Sequence, residues 1–104
     1  VKATQTPARE YAAPETLGLD TRVEFRRAAI ALLESLPEGG GTLVVDLTAT
    51  RSVDSAGLGA LMLVQRRAAE RRQAIVLRNA SEEIRFLLAL TKLDELFHLE
   101  SSYA

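Results

Sequence analysis

The chain has 104 residues, 47% of them apolar and 26% charged, which suits one globular domain around one core. Its formal net charge is −1, so no broad field of either sign draws in nucleic acid or an anionic membrane. It has no cysteine and a single histidine, His98, which excludes disulfides, thiolate metal sites and a histidine-built zinc site, and no metal or cofactor is expected.

In chain order, residues 1–10 are polar and patternless and read as a tail. Tyr11 to Leu19 holds Pro14 and has room for one short edge strand, with Leu17 and Leu19 alternating about Gly18. Thr21-Arg22-Val23-Glu24 has the T-x-x-E form of a capping box, and the spacing predicts a helix to about Leu36 with Phe25, Ala29, Leu32, Leu33 and Leu36 inward. Pro37 and Gly39 to Gly41 stop it. Thr42 to Leu47 is a short apolar run, rich in β-branched residues, that reads as a central strand covered on both faces. After a polar loop from Thr48 to Val53, Asp54 is placed to cap a helix from Ser55 to about Arg72. Its inner stripe reads Leu58, Leu61, Met62, Gln65 and Ala68 or Ala69. Ala74 to Leu77 is a further buried strand, and Asn79 or Ser81 caps a third helix lined by Ile84, Leu87, Leu88 and Thr91. Asp94 starts one more turn, Phe97 to Leu99 a last strand with His98 half-buried in it, and the final five residues a second tail. The alternation predicts an α/β domain over 11–99: a central mixed, partly parallel sheet of about four strands with three main helices.

The segment Val53-Asp54-Ser55-Ala56-Gly57-Leu58-Gly59 follows a strand and opens a helix, the place in α/β sheets where ligands and partners dock. Ser55 falls in the first turn, where a phosphate meets unpaired N–H groups and the positive end of the helix dipole. Gly57 and Gly59 let another backbone come close, at about 1 kcal/mol each against alanine. Equally, Asp-Ser before a helix is ordinary capping chemistry, and glycines there serve tight packing. The segment lacks the third glycine of a dinucleotide fingerprint and any phosphate-loop lysine, so a nucleotide site is not expected. Asp46, ending its strand, either shapes the following loop by accepting backbone N–H bonds or touches a partner. Thr48 and Ser52 read first as turn residues and secondarily as further phosphosites. Nothing in the spacing assembles a catalytic set, so the chain is not expected to be an enzyme.

Val44-Val45-Asp46-Leu47 with Val53 to Leu61, followed by Leu88-Ala89-Leu90-Thr91-Lys92-Leu93-Asp94-Glu95-Leu96-Phe97, resembles the STAS domain over about Thr21 to Leu99, most closely the bacterial anti-sigma factor antagonists. The resemblance implies a regulator of sigma-dependent transcription, switched by phosphorylation of Ser55. Unmodified, it binds a GHKL-type serine kinase that is also the anti-sigma factor; phosphorylated, it releases that partner; a serine phosphatase resets it. The contact surface so implied comprises Asp54, Ser55, Ala56, Gly57 and Leu58, with Asp46 and Thr48. The alternative is a small STAS subunit docking on the ATPase of a lipid-handling ABC transporter, since that group also carries D-S-A-G-L, with Ala56 in place. Two features depart from the family. Only Leu17-Gly18-Leu19-Asp20 stands for its G-x-L-D turn, after a poor strand whose open edge another chain can pair with. Lys92 stands where glycine is usual, so the third helix is expected to end otherwise than in a left-handed residue. No apolar run reaches the ~20 residues of a membrane span. The chain opens on Val1, which reads as a trimmed start, with no charged-then-apolar leader. The expected compartment is the cytoplasm, without membrane insertion or nucleic-acid binding.

Overall fold

A computed structural model describes residues 7–101. Along the chain it has β1 (Ala8–Ala12), β2 (Thr16–Leu17), α1 (Arg22–Ser35), β3 (Thr42–Asp46), β4 (Ser52–Val53), α2 (Ser55–Glu70), β5 (Ala74–Arg78), α3 (Glu82–Leu90), a 3-10 turn (Leu93–Glu95) and β6 (His98–Glu100). The expected sheet of about four strands is present in the order β1-β3-β5-β6, and every described pairing in it is parallel. A second, two-stranded parallel ladder joins β2 to β4.

Ala8, Arg9 and Glu10 were expected in a tail and instead open β1, while residues 1–6 lie outside the described residues. β1 escapes a periodicity search because it is an edge strand whose residues are mostly exposed. Its Tyr11 is the exception, stacking at a tilt on Phe25 of α1 with ring centroids 5.7 Å apart. Burial, and then the nearby Glu24 carboxylate, push the Tyr11 phenol pKa up. At the other end Glu100, expected in the tail, belongs to β6.

Strand β3 was expected to be covered on both faces, and it is not. Leu43 and Val45 of β3, with Ile75 and Leu77 of β5, point to one side and are sealed in the core. The opposite side presents Glu10 of β1, Thr42 and Asp46 of β3, Val76 and Arg78 of β5 and His98 of β6, all exposed or half-buried, with Val44 alone shielded among them. On that open face Arg78 crosses the sheet, donating to Glu10 Oε2 at 2.8 Å and Glu100 Oε1 at 2.7 Å. His98, expected half-buried, is exposed there.

The core is built from α1 and α2. Phe25, Ala29, Leu33 and Leu36 are buried as the spacing predicts, with Leu32 half-buried at the edge. A full burial of such a side chain stabilises the fold by about 1.5–3 kcal/mol. The stripe of α2 is rotated from the expected one: Gly57, Ala60, Leu61, Val64 and Ala68 face inward, and Met62 is exposed. Small residues, Gly57, Ala60 and Ala68, make up much of this inward face, which a search for large apolar residues misses. On α3, Ile84 and Leu88 are buried, Leu87 half-buried and Thr91 exposed.

Polar groups finish the helix ends. The T-x-x-E capping box does not form. The Thr21 hydroxyl instead accepts from Gly18 N–H and donates to Thr16 O, and Glu24 pairs with Arg27 on the surface. The carbonyls at the end of α1 are met from afar by buried Gln73, whose amide donates to Leu33, Leu36 and Pro37 carbonyls, and by Arg71, which donates to Leu36 O. Ser81, of the two residues considered, caps α3 by accepting from Ile84 N–H.

Helix α3 does end in a left-handed residue, contrary to expectation: Lys92 has φ 62° and ψ 15°. The Cβ of a lysine is crowded in that conformation, and glycine is not. Lys92→Gly is expected to stabilise the domain by about 1 kcal/mol, read as a higher urea midpoint at unchanged slope; an unchanged or lower midpoint contradicts the strain.

Candidate functional site

Ladder β2–β4 fixes where α2 begins. Thr16 pairs with Ser52 and Leu17 with Val53, and Asp54 N–H continues the ladder onto Leu17 O at 3.2 Å. Asp54 is the last residue before α2, as its sequence position predicts. Its Oδ1 accepts from Gly57 N–H at 2.9 Å, the N-cap bond. Its Oδ2 accepts from Leu19 N–H at 3.1 Å, in the turn between β2 and α1. One carboxylate thus holds two segments 35 residues apart.

Glycines make this junction sterically possible. An added Cβ on Gly57 would strike the carbonyl of Leu17, and one on Gly18 would fall on the Asp54 carboxylate. The backbone that Gly57 admits is therefore the chain's own β2. Gly59 differs: nothing lies within 4 Å of the space its Cβ would fill, and it is exposed on α2. Of the two glycines singled out by the motif, Gly57 serves packing and Gly59 leaves an open notch.

Ser55, the first residue of α2, is exposed. Ala56 and Leu58 are half-buried, and Leu58 packs on the core. Leu19, whose amide is held by the Asp54 side chain, stands 65% exposed, far outside the range of a core leucine. Leu19 was not among the expected contact residues. The signal was there in the L-G-L-D turn, but only the tertiary structure brings that turn to the helix start.

Asp46 and Thr48 form a different group at the end of β3. Asp46 Oδ1 accepts from the Thr48 hydroxyl and from Thr48 N–H at 3.0 Å, and Asn79 Nδ2 donates to Thr48 Oγ1 at 2.9 Å. Asp46 therefore shapes its loop, the first of the two roles considered for it. The two bonds from Thr48, side chain first, hold its carboxyl below the usual aspartate range, with Arg78 adding to this. Ser52, in β4, is exposed and lies 3.5 Å from the Thr16 hydroxyl.

Asp54 is likewise held below the usual range, first by the N–H bond from Gly57, then by that from Leu19, with Arg22 contributing charge. The carboxylate is thus anionic in any neutral solution. Among the described residues no group of three or more His, Cys, Asp and Glu side chains is arranged to hold a metal ion, and no helix is long and apolar enough to cross a membrane. What the arrangement offers is a rigid helix start with an exposed hydroxyl, an anion beside it and an exposed leucine.

Residues 14–99 match the family model described as "Mlab, STAS domain". Among solved structures, the fold is similar to a candidate anti-sigma factor antagonist from Thermotoga maritima, with TM-score 0.74 and 17% identity over 90% of this chain and 80% of that one. It is similar to a sulfate transporter family protein from Wolinella succinogenes, with TM-score 0.74 and 14% identity over 95% and 80%. It is also similar to the anti-sigma factor antagonist SpoIIAA in its unphosphorylated form, with TM-score 0.68 and 12% identity over 99% and 86%. At these identities the likeness is one of fold. No curated protein sequence matches the chain.

Two outcomes test the junction. Gly57→Ala should destabilise the domain by about 2–3 kcal/mol through overpacking, whereas Gly59→Ala should stabilise it by about 1 kcal/mol through helix propensity. Urea unfolding of both variants reads this, and similar effects at the two positions would contradict the geometry. The second outcome concerns pH. A carboxylate whose folded pKa lies below its ordinary value of 3.8 contributes stability that is full above that value and fades as pH falls through the lowered one. Asp54→Asn should therefore be less stable than the native chain at neutral pH, and the gap should close in acid. A gap independent of pH would remove the charge from the account.

Proposed function

Because the chain belongs to the STAS domain family, we propose that it is an anti-sigma factor antagonist whose partner affinity is set by phosphorylation of Ser55. The observation that carries this reading is the exposed Ser55 hydroxyl at the first residue of α2, on a turn that does not have to unfold to be reached. The proposed partner is a GHKL-type serine kinase that is also the anti-sigma factor, acting in the cytoplasm, and a serine phosphatase reverses the modification. In the forward step the Ser55 oxygen forms a bond to the γ-phosphorus of ATP as the bond to the leaving ADP oxygen breaks, and the hydroxyl proton passes to a base of the kinase.

Charge explains the switch. Phosphate adds about −1.5 to −2 charges at neutral pH. The positive end of the α2 dipole accommodates this within the domain. A docked surface facing Ser55 would instead meet a desolvated dianion next to the Asp54 carboxylate. The expected result is loss of binding with little change in stability. The open notch at Gly59 fits the same reading, since it lets a partner approach the first turns of the helix.

A second reading is favoured by Ala56, which keeps the D-S-A-G-L form of transporter-associated STAS proteins. In it the same helix start docks on the ATPase of a lipid-handling ABC transporter, with no phosphorylation cycle.

Incubation with the GHKL-type serine kinase and ATP, followed by intact mass and fragmentation, separates the two. The antagonist reading expects one phosphate, on Ser55, none on Ser55→Ala, and at least a tenfold loss of kinase affinity once it is present. Equal affinity for the bare and phosphorylated forms rules that reading out. Absence of phosphate together with tight binding to an ABC ATPase selects the second.

A further inference from the structure

The same turn holds a link between Ser55 and a segment that the sequence leaves far away. Leu19 is exposed, yet its N–H is tied to Asp54 Oδ2 at 3.1 Å. That carboxylate is also the N-cap of α2, through Gly57 N–H at 2.9 Å. It occupies the space left free by the missing side chain of Gly18, so the turn at Gly18 and Leu19 is moulded around it. On the far side the Thr21 hydroxyl holds Gly18 N–H at 3.0 Å. Thr21 and Arg22 N–H close the same turn on Gly18 O at 3.1 and 2.8 Å, and the Asp54 carboxylate supplies the acceptor for the Leu19 amide itself.

We propose that Asp54 is a positioning residue that sets Leu19 as an apolar contact on the partner-facing surface, and that charge on Ser55 releases Leu19 from it. The release follows from the geometry. A phosphate on the first residue of α2 stands next to the Asp54 carboxylate and repels it, and its oxygens compete for the N–H groups of the first turn, Gly57 among them. A displaced Asp54 has no equivalent position, because the cradle at Gly18 fits it where it is. Arg22, the cation whose field reaches Asp54, is then drawn toward the phosphate. Leu19 N–H loses its acceptor, and the leucine loses its fixed direction. Modification would thus weaken docking twice, through a dianion at Ser55 and through loss of an ordered apolar contact at Leu19.

This rests on Ser55 being the switch, but its test needs no kinase. Phosphoserine is installed at position 55 during synthesis of the full chain, and amide hydrogen exchange is followed by NMR at Leu19, Gly57, Phe25 and Val45. Slow exchange is expected at Leu19 in the bare protein. With phosphoserine at 55 it should rise at least tenfold, while Phe25 and Val45 keep their protection. Asp54→Asn, which retains a competent N-cap, should raise exchange at Leu19 more than at Gly57. Unchanged exchange at Leu19 in the phosphorylated chain overturns the proposal, as does a rise shared equally by Phe25 and Val45, since the link predicts a local opening. A purely structural role for Asp54 would leave Leu19 indifferent to phosphate. Failure of the kinase to modify Ser55 would remove the switch and leave this measurement standing.

Discussion

The Asp54 carboxylate accepts one N–H bond from the start of α2 and another from the turn before α1, and that pair of bonds ties together the two segments that meet at Ser55. Two glycines are required by it: Gly18, because the carboxylate lies where a side chain would be, and Gly57, because the Leu17 carbonyl does. The short β2–β4 ladder brings the two strands to the same point. A helix start held in this way presents its first side chain in one direction. That is what a residue needs if it is to be recognised by another protein without the domain reorganising.

Exposed charge in such a place acts on neighbours more than on the fold. Ser55 is at the solvent boundary, with the helix dipole behind it and no buried partner whose loss would unfold the domain. The core lies on the other side of the helix, in the Ala60, Leu61, Val64 and Ala68 seam against α1. In the proposed function, recognition falls on the face of α2 opposite the one that carries stability. The packed seam lies away from Ser55, so a charge added there as proposed would leave the core contacts in place.

The sheet is unusual for a parallel one in having a face that the helices leave open. Parallel sheets ordinarily have both faces covered. Here the open side is furnished with polar groups, and Arg78 spans from β1 to β6 through Glu10 and Glu100. Such partly exposed pairs contribute little stability, about 0–1 kcal/mol each. Their effect is to keep that face hydrated and to align strands whose side chains there have little apolar area to bury.

The sequence by itself determined the elements whose signals are local. The apolar run of Thr42 to Leu47, the stripe at Phe25, Ala29 and Leu33, and Asp54 as a cap can each be read from a few neighbouring residues, because strand burial, helical periodicity and capping act over that range. The resemblance to the STAS domain came from two such local motifs at a particular spacing. Tertiary structure alone decided the rest. The edge strand β1 has no periodic signature, since only its partners make it a strand. The Thr21 capping box is overridden because the Thr21 hydroxyl finds Gly18 and Thr16. Lys92 is held in a left-handed conformation despite its side chain. Leu19 meets the start of α2 only because β2 and β4 pair. Each depends on groups brought together from distant points of the chain, and no local pattern encodes which distant group will arrive.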